Sequence, residues 1–412
     1  MTTLVAPRTA PGRDAAQRHA PLRTSATKVP RMLLLAWGAL FVNVLTPSNN
    51  PTVLPIPHSI NQILAQGSLL MAVVLALLVN PRIVIRPNLF LVLLSVMAIV
   101  ALIVSIHSPF FVGSTYRALR LIGFVLCLWL LTPWWGRHDV VLLRVHRLCL
   151  WGALVSVVVG AALAPGKAFS SEGRLSGAIW PIPPPQVAHY AAVLLATSAI
   201  LWMCRVIGGQ HALLGIVVSV AVLIGTHTRT ALLGAIIGVA VAGASLFLGH
   251  ARVRRTSAST VLFGVVAGTL FAPQIVKWAA RGQSAEDASQ LTGRTKVWSA
   301  SLDQARPRLQ DLFGNGLSNK SFNGLPVDSN WVATYLDLGW FGIVVQVTFI
   351  LLLLVMAITH VRGPRRAVAL FFIVYCIVAS VTETGTGDAS TYLLDLTVAA
   401  ALLVPEPGRR AR

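Results

Sequence analysis

Apolar runs long enough to cross a bilayer recur along almost the whole chain, and that recurrence leaves little choice of fold. A hydrocarbon core of about 30 Å takes about 20 apolar residues per helix. On that scale about twelve spans are expected, centred near residues 39, 70, 98, 125, 154, 196, 219, 240, 266, 345, 374 and 397. The first is the weakest, because its apolar run from Met32 to Leu45 is short. The region from Gly208 to His250 reads as two helices with a tight turn at Thr226–Thr230, or as one broken helix. With 55% hydrophobic residues, 11% charged and a mean hydropathy of +0.74, a soluble globule is excluded. The expected fold is an all-α polytopic membrane protein with one long polar loop, about Lys277 to Trp331. Long loops in such proteins carry recognition or chemistry more often than they merely connect.

Charge sets the orientation. With the N-terminus in the cytoplasm, the predicted inner side collects Arg8, Arg13, Arg18, Arg23, Lys28, Arg31, Arg82, Arg86, Arg137, Arg144, Arg147 and Arg205. It continues with Arg252, Arg254, Arg255, Arg362, Arg365, Arg366, Arg409, Arg410 and Arg412, which makes 21 of the 33 Lys and Arg residues. Short inner loops rich in Arg obey the positive-inside rule. Both termini are then cytoplasmic and the long loop is outside. The division is a disordered tail over 1–30, a first membrane part over 31–276 and the extracytoplasmic loop over 277–331. A last membrane part covers 332–404, and 405–412 form a cytoplasmic end. The formal net charge of +20 is on this reading a topology signal with some affinity for anionic membrane lipid, and no nucleic-acid module is present. Cys127, Cys149, Cys204 and Cys376 fall in or near spans, so the outer loop offers neither a disulfide nor a Cys-based metal site.

Twelve cations remain on the outer side, among them Arg117, Arg120, Arg174, Arg229 and Arg294. An Arg near mid-membrane costs about 2.5–3.5 kcal/mol even on lenient insertion scales. Each of these singly could snorkel to the headgroups. Five from four separate outer segments suit convergence on an anion, because guanidinium groups grip phosphate oxygens in pairs and keep their charge when desolvated. Arg117 and Arg120 are three apart and share a helix face.

In chain order come Gly173-Arg174-Leu175-Ser176-Gly177, Thr226-His227-Thr228-Arg229-Thr230, Gly293-Arg294 with Trp298, Gly314-Asn315-Gly316, Asp328-Ser329-Asn330 and Leu338-Gly339-Trp340-Phe341-Gly342. This ordered set resembles the O-antigen ligase / O-antigen polymerase superfamily of bacterial membrane glycosyltransferases, over about residues 115–345. The resemblance implies a GT-C-like helical scaffold in the inner (cytoplasmic) membrane. It implies transfer of a glycan from a polyisoprenyl-pyrophosphate carrier to a hydroxyl acceptor (glycan, lipid or protein) on the outer side, with no nucleotide sugar, cofactor or metal. It also implies that Arg174, Arg229 and Arg294 hold the pyrophosphate, with Arg117 and Arg120 at a looser basic position. The chain departs from the ligases where Asp328 stands in place of their outer-loop His, which favours a polymerase-like or divergent member.

The chemistry needs no pair of carboxylates of the kind glycosidases use. A pyrophosphate already leaves readily once its charge is neutralised, and preorganised Arg donors do that. One group must then orient or deprotonate the acceptor hydroxyl. Asp328 is the candidate base, with a helix N-cap as its alternative role. His227 is the second candidate, with a place at the membrane interface as its alternative. A short helix over Gly293–Ala305, ended by Pro307, would set Arg294 and Trp298 on one face. Trp298 then serves as interfacial anchor or sugar platform. Gln186 either bonds sugar or phosphate or starts a helix, and Asn330 stands beside Asp328 as a further substrate contact. Glu383 and Asp388 read as weak counter-charges or solvated loop residues. A transporter or flippase of a lipid-linked anionic glycan is the rival reading. It would need buried ionisable groups in the spans, for which Asp337 and Asp395 are the only openings. A non-catalytic glycan-binding scaffold is the third class, and it would break the Arg set that stands intact here.

Overall fold

The computed structural model describes residues 29–45, 51–53, 58–137, 140–170, 172–249, 251–280, 294–318 and 320–405. The predicted N-terminal tail through residue 28, the end 406–412 and the loop stretch 281–293 with Arg281 and Gly293 lie outside the described residues. Helices dominate: α1 (Arg31–Asn43), α2 (His58–Val79), α3 (Leu89–Ile106), α4 (Phe111–Leu130), α5 (Val141–Leu163), α6 (Pro184–Met203), α7 (Gly209–Thr226) and α8 (Arg229–Phe247). They continue with α9 (Ala251–Leu270), α10 (Ala272–Ala280), α11 (Arg294–Leu302), α12 (Arg308–Phe313), α13 (Asn330–Thr359), α14 (Pro364–Ala379) and α15 (Thr391–Leu403). The two strands, β1 (Ser321–Phe322) and β2 (Leu325–Pro326), form a small antiparallel hairpin with Phe322 opposite Leu325.

The chain is an all-α, multi-pass membrane protein. A helix covers each of the twelve centres read from the sequence, but among the described residues seven (α3 to α8 and α13) are long and apolar enough to cross a membrane alone. An eighth is reached if α9 and α10, which meet at a bend of 84°, count as one broken span. The shortfall from twelve has a physical source. α1 and α15 have 13 residues each, about 20 Å at the helical rise, and α14 has 16, about 24 Å. α15 is sheathed by other helices nearly throughout, so its length answers to the bundle rather than to the lipid. Outward faces carry the opposite signature: Leu70, Ile103, Val217, Leu233, Val344 and Val355 are all exposed. A continuous apolar surface of this extent suits hydrocarbon, not water.

Gly208–His250 resolves into two helices. His227 takes a left-handed backbone (φ 49°) at the end of α7, and α8 starts two residues later. The face of α8 that carries Ala231, Gly234, Ala235, Gly238 and Ala242 is buried. A Cβ on Gly234 would stand 3.0 Å from the Tyr375 ring, and one on Gly238 would stand 2.8 Å from Phe371. Without a hydrophobic force between helices in lipid, such small residues let backbones approach and dispersion hold them. α6 is the central helix, with 78% of its 18-residue core window buried, and it packs on α5, α7 and α8.

α13 is broken at Gly339 (φ 61°, ψ −157°). The break leaves carbonyls for the preceding loop: Asn315 N–H donates to Leu336 O and Gly316 N–H to Asp337 O, both at 3.0 Å. A Cβ at Gly339 would lie 2.5 Å from the backbone at Asp311 and Leu312. The Gly314-Asn315-Gly316 and Leu338-Gly339 motifs are therefore two halves of one backbone contact. Asp337 completes it, since its Oδ1 accepts from Ser318 N (3.0 Å) and Ser318 Oγ (2.7 Å).

Candidate functional site

A cavity of about 740 Å³ opens at the end of the bundle that carries the long loop. Its wall is assembled from the C-terminus of α1, the first half of α2, the N-terminal turns of α4 and α6, residues 320–328 of the loop, and the turn between α14 and α15. Six charged side chains line it: Arg117, Arg120, Lys320, Asp328, Glu383 and Asp388. The sequence led to a mainly basic lining. The correction is that the α14–α15 turn brings two carboxylates inward, so cations and acids in the wall balance.

Each charge is held by something specific. Arg117 donates to Ser318 O, which ties α4 to the loop fastened on Asp337. Arg120 donates through one terminal nitrogen to Asn43 O (2.7 Å) and Ala389 O (3.3 Å), and through Nε to Asn43 Oδ1 (3.3 Å). A guanidinium has five N–H donors, so part of its capacity remains for a ligand. Lys320 Nζ lies 3.4 Å from Asp388 Oδ2, both well covered. Burial alone would raise the Asp388 carboxyl, but Lys320, Arg120, the Ala389 backbone N–H and Arg117 together hold it below the ordinary carboxylate value. Glu383 behaves oppositely. Burial pushes it up to about 7, with Arg294 opposing, Asp328 adding to the rise and Arg174 opposing.

The five arginines expected to converge divide into two groups. Arg117 and Arg120 line the cavity, as their shared face predicts. Arg174, Arg229 and Arg294 do not form its wall. Arg294 starts α11 and bridges to Asp328 (3.3 Å) while donating to Thr382 O (3.1 Å). Arg174 donates to Thr226 O (3.0 Å) and Thr228 Oγ1 (3.1 Å), so the motif around it caps the C-terminal end of α7. Burial lowers the Arg174 value, while Glu172 and Glu383 raise it and Arg294 lowers it. Arg174 and Arg294 thus form a cationic layer behind Glu383. Arg229 starts α8, next to Thr230, whose hydroxyl lies 2.8 Å from that of Thr382.

The remaining candidates separate in the same way. Asp328 lines the cavity and is not the helix cap, because Ser329 holds that position. His227 is outside the cavity wall and stacks on Trp278, with ring centroids 5.4 Å apart. Gln186 lines the cavity and donates to Val44 O at 3.0 Å. Asn330 is buried away from it. Its amide donates to Gln346 Oε1 (2.8 Å) and accepts from Gly385 N (3.3 Å) and Thr386 N (2.9 Å), so it fixes the turn that carries Glu383. Trp298 is half-buried on α11, outside the cavity wall, and the short helix runs Arg294–Leu302.

Sequence reasoning passed over His189, which lines the cavity floor on α6. A signal was present: Gln186 and His189 are three residues apart and share a face, as Arg117 and Arg120 do. For Glu383 and Asp388 the sequence left counter-charge and solvated loop residue both open, because nothing in a turn sequence shows whether it folds inward, and the structure places both in the cavity wall beside cations. Among the described residues, no group of three or more His, Cys, Asp or Glu is arranged to hold a metal ion. Comparison of the chain with protein-family models and with curated proteins finds no match.

Proposed function

We propose that this protein is an integral-membrane glycosyltransferase of the O-antigen ligase / polymerase type. It moves a glycan from a polyisoprenyl-pyrophosphate carrier to a hydroxyl acceptor on the outer side of the cytoplasmic membrane, with both termini inside and all twelve apolar helices as spans. The observation that carries this reading is the large cavity, walled by Arg117, Arg120 and Lys320 and backed by Arg174 and Arg294. It opens at one end of the bundle, while Arg86 and Arg137 sit in loops at the other and Arg365 in the first turn of α14, where Arg86 donates to Trp135 O and Arg365 to Arg137 O. That segregation supports placing the cavity outside.

On this reading the arginines and Lys320 take the pyrophosphate oxygens and stabilise the charge that grows on them as the glycosidic bond breaks. The volume admits a sugar beside the anion and is open enough for an acceptor. The reading calls for no nucleotide sugar and no metal, because the carrier pyrophosphate is itself the leaving group. The test is transfer by purified protein in liposomes, with EDTA and without nucleotide sugar, beside Arg117→Ala and Arg294→Ala variants. Transfer that persists in chelator and falls at least tenfold in each variant supports the reading. Transfer by wild type that both variants match would sink it.

One observation favours the transporter reading. Asp395 lies at 0% exposure inside the bundle between His146 and His189, an ionisable cluster of the kind transporters use. Proton-dependent movement of a lipid-linked glycan across liposomes, without transfer, would establish that alternative.

A further inference from the structure

A second cavity, of about 330 Å³, lies between α8, α13 and α14 at the end of the bundle opposite the large one. α8 and α13 each pack on α14, and Leu370 of α14 is buried at the floor of the groove between them. The three helices share one order of depth. Val241 of α8 and Leu354 of α13 lie deep beside Leu370. Leu248 at the end of α8, Arg362 just beyond α13 and Arg366 in the first turn of α14 form the mouth. Seven residues separate Val241 from Leu248, about 10 Å at the helical rise. Val241, Leu248 and Ile358 are exposed, so the groove opens sideways toward hydrocarbon. Among the described residues no acid lines it. The groove is thus apolar where the helices run through the membrane and cationic where they end, at the level of lipid headgroups.

Arginines that merely snorkel carry their guanidinium groups out into water. Arg366 does not. Its Nε is buried without a hydrogen-bond partner among the described residues, and a terminal nitrogen reaches His360 O only at 3.5 Å, the outer limit of a hydrogen bond. A buried donor left unpaired is costly, and a phosphate oxygen would satisfy it with a charge-assisted bond. Arg254 of α9 donates to Phe247 O at 3.4 Å, which brings a third cation to the same end of α8. We propose that this groove binds one anionic phospholipid, its phosphate on Arg362 and Arg366 and an acyl chain along Val241, Leu354 and Leu370. Basic recesses between spans recognise lipid headgroups in this way. A zwitterionic lipid offers the same phosphate and chain but brings an ammonium group to a wall without a carboxylate, so net charge is what the groove selects. The bound lipid bridges α8 and α13 over α14 and stabilises the folded bundle by mass action. The site is independent of the transferase reading and requires only that the bundle span a membrane.

The experiment titrates full-length protein in detergent with dioleoylphosphatidylglycerol or dioleoylphosphatidylcholine. Native mass spectrometry counts the bound lipid, and the thermal midpoint is recorded alongside. Wild type should retain one phosphatidylglycerol at an affinity at least about tenfold above that for phosphatidylcholine, and its midpoint should rise with the anionic lipid. The double variant Arg362→Ala/Arg366→Ala should lose that preference and that rise. Arg82→Ala/Arg255→Ala removes two exposed cations that do not line the groove and should keep both. Ala244→Trp, placed on the exposed wall, fills the groove with both arginines intact and should weaken phosphatidylglycerol at least about tenfold. Equal binding of the two lipids by wild type overturns the proposal. So does a preference that the two double variants lose equally, which marks diffuse surface charge, or one that Ala244→Trp leaves intact, which marks a headgroup contact without a groove. Displacement of the lipid by glycerol phosphate at equal concentration would assign the arginines to a soluble phosphate instead. Dimers that form in place of the lipid adduct would assign the groove to a second copy of the chain.

Discussion

Glu383 offers the sharpest quantitative handle on the cavity. Its carboxyl titrates near about 7 in the folded protein, raised from an ordinary 4.5 by burial, against Arg294, with Asp328, and against Arg174. An anionic ligand drawn by the same arginines meets a neutral Glu383 below that value and a carboxylate above it. The sign follows: affinity for the anion falls as pH rises through 7. If the ionised form excludes the ligand, the apparent Kd grows about 1.1-fold at pH 6, about twofold at pH 7 and about tenfold at pH 8 relative to the protonated protein. A pyrophosphate titrates in the same range, so the comparison must be with Glu383→Gln, which removes the charge and keeps the shape. The ratio of wild-type to variant Kd should climb from near one at pH 6 to about ten at pH 8. Isothermal titration of farnesyl pyrophosphate into detergent-solubilised protein would measure it. A ratio that stays flat from pH 6 to pH 8 refutes the argument that Glu383 and the ligand compete for the arginine layer. Linkage requires a matching change in stability. A carboxyl raised on folding stabilises fully below about 4.5 and loses that contribution as pH rises through about 7, so Glu383→Gln should gain thermal stability over wild type above neutrality.

Three other outcomes are expected. Gly238→Val puts branched carbon into the Phe371 ring 2.8 Å away and should cost about 1–3 kcal/mol, read as a lower thermal midpoint in detergent, while Gly243→Ala, with open space around it, should not. Gly339→Ala meets both a positive φ and backbone at 2.5 Å. It should release the 314–318 loop, seen as faster amide exchange there and weaker farnesyl pyrophosphate binding through Lys320. The partly exposed Arg294–Asp328 pair should contribute no more than about 1 kcal/mol to stability, so Asp328→Asn should leave the thermal midpoint nearly unchanged whatever it does to transfer.

The sequence by itself determined the solvent of this protein and the positions of its helices. Apolar runs must pair their backbone groups internally in lipid, so hydropathy alone placed a helix at each centre it named. It also determined that Arg117 and Arg120 share one helix face, and both line the cavity, because a spacing of three is a local property of a helix. What it left open is what each helix faces. The 13 residues of α15 look like a poor span, and only the tertiary structure shows them sheathed by other helices. Arg174 and Arg229 read as ligand-gripping cations, yet Arg174 caps the end of α7 and neither forms the cavity wall. The converse holds for Glu383 and Asp388, whose two readings as counter-charge or solvated turn nothing local decides, and for His189, whose shared face with Gln186 is the one local mark that sets it apart from a core histidine. They line one cavity because Asn330 holds the α14–α15 turn inward and because α5, α6 and α15 meet at Asp395. Such meetings join residues up to 249 positions apart, as for His146 and Asp395, and no periodicity along the chain records them.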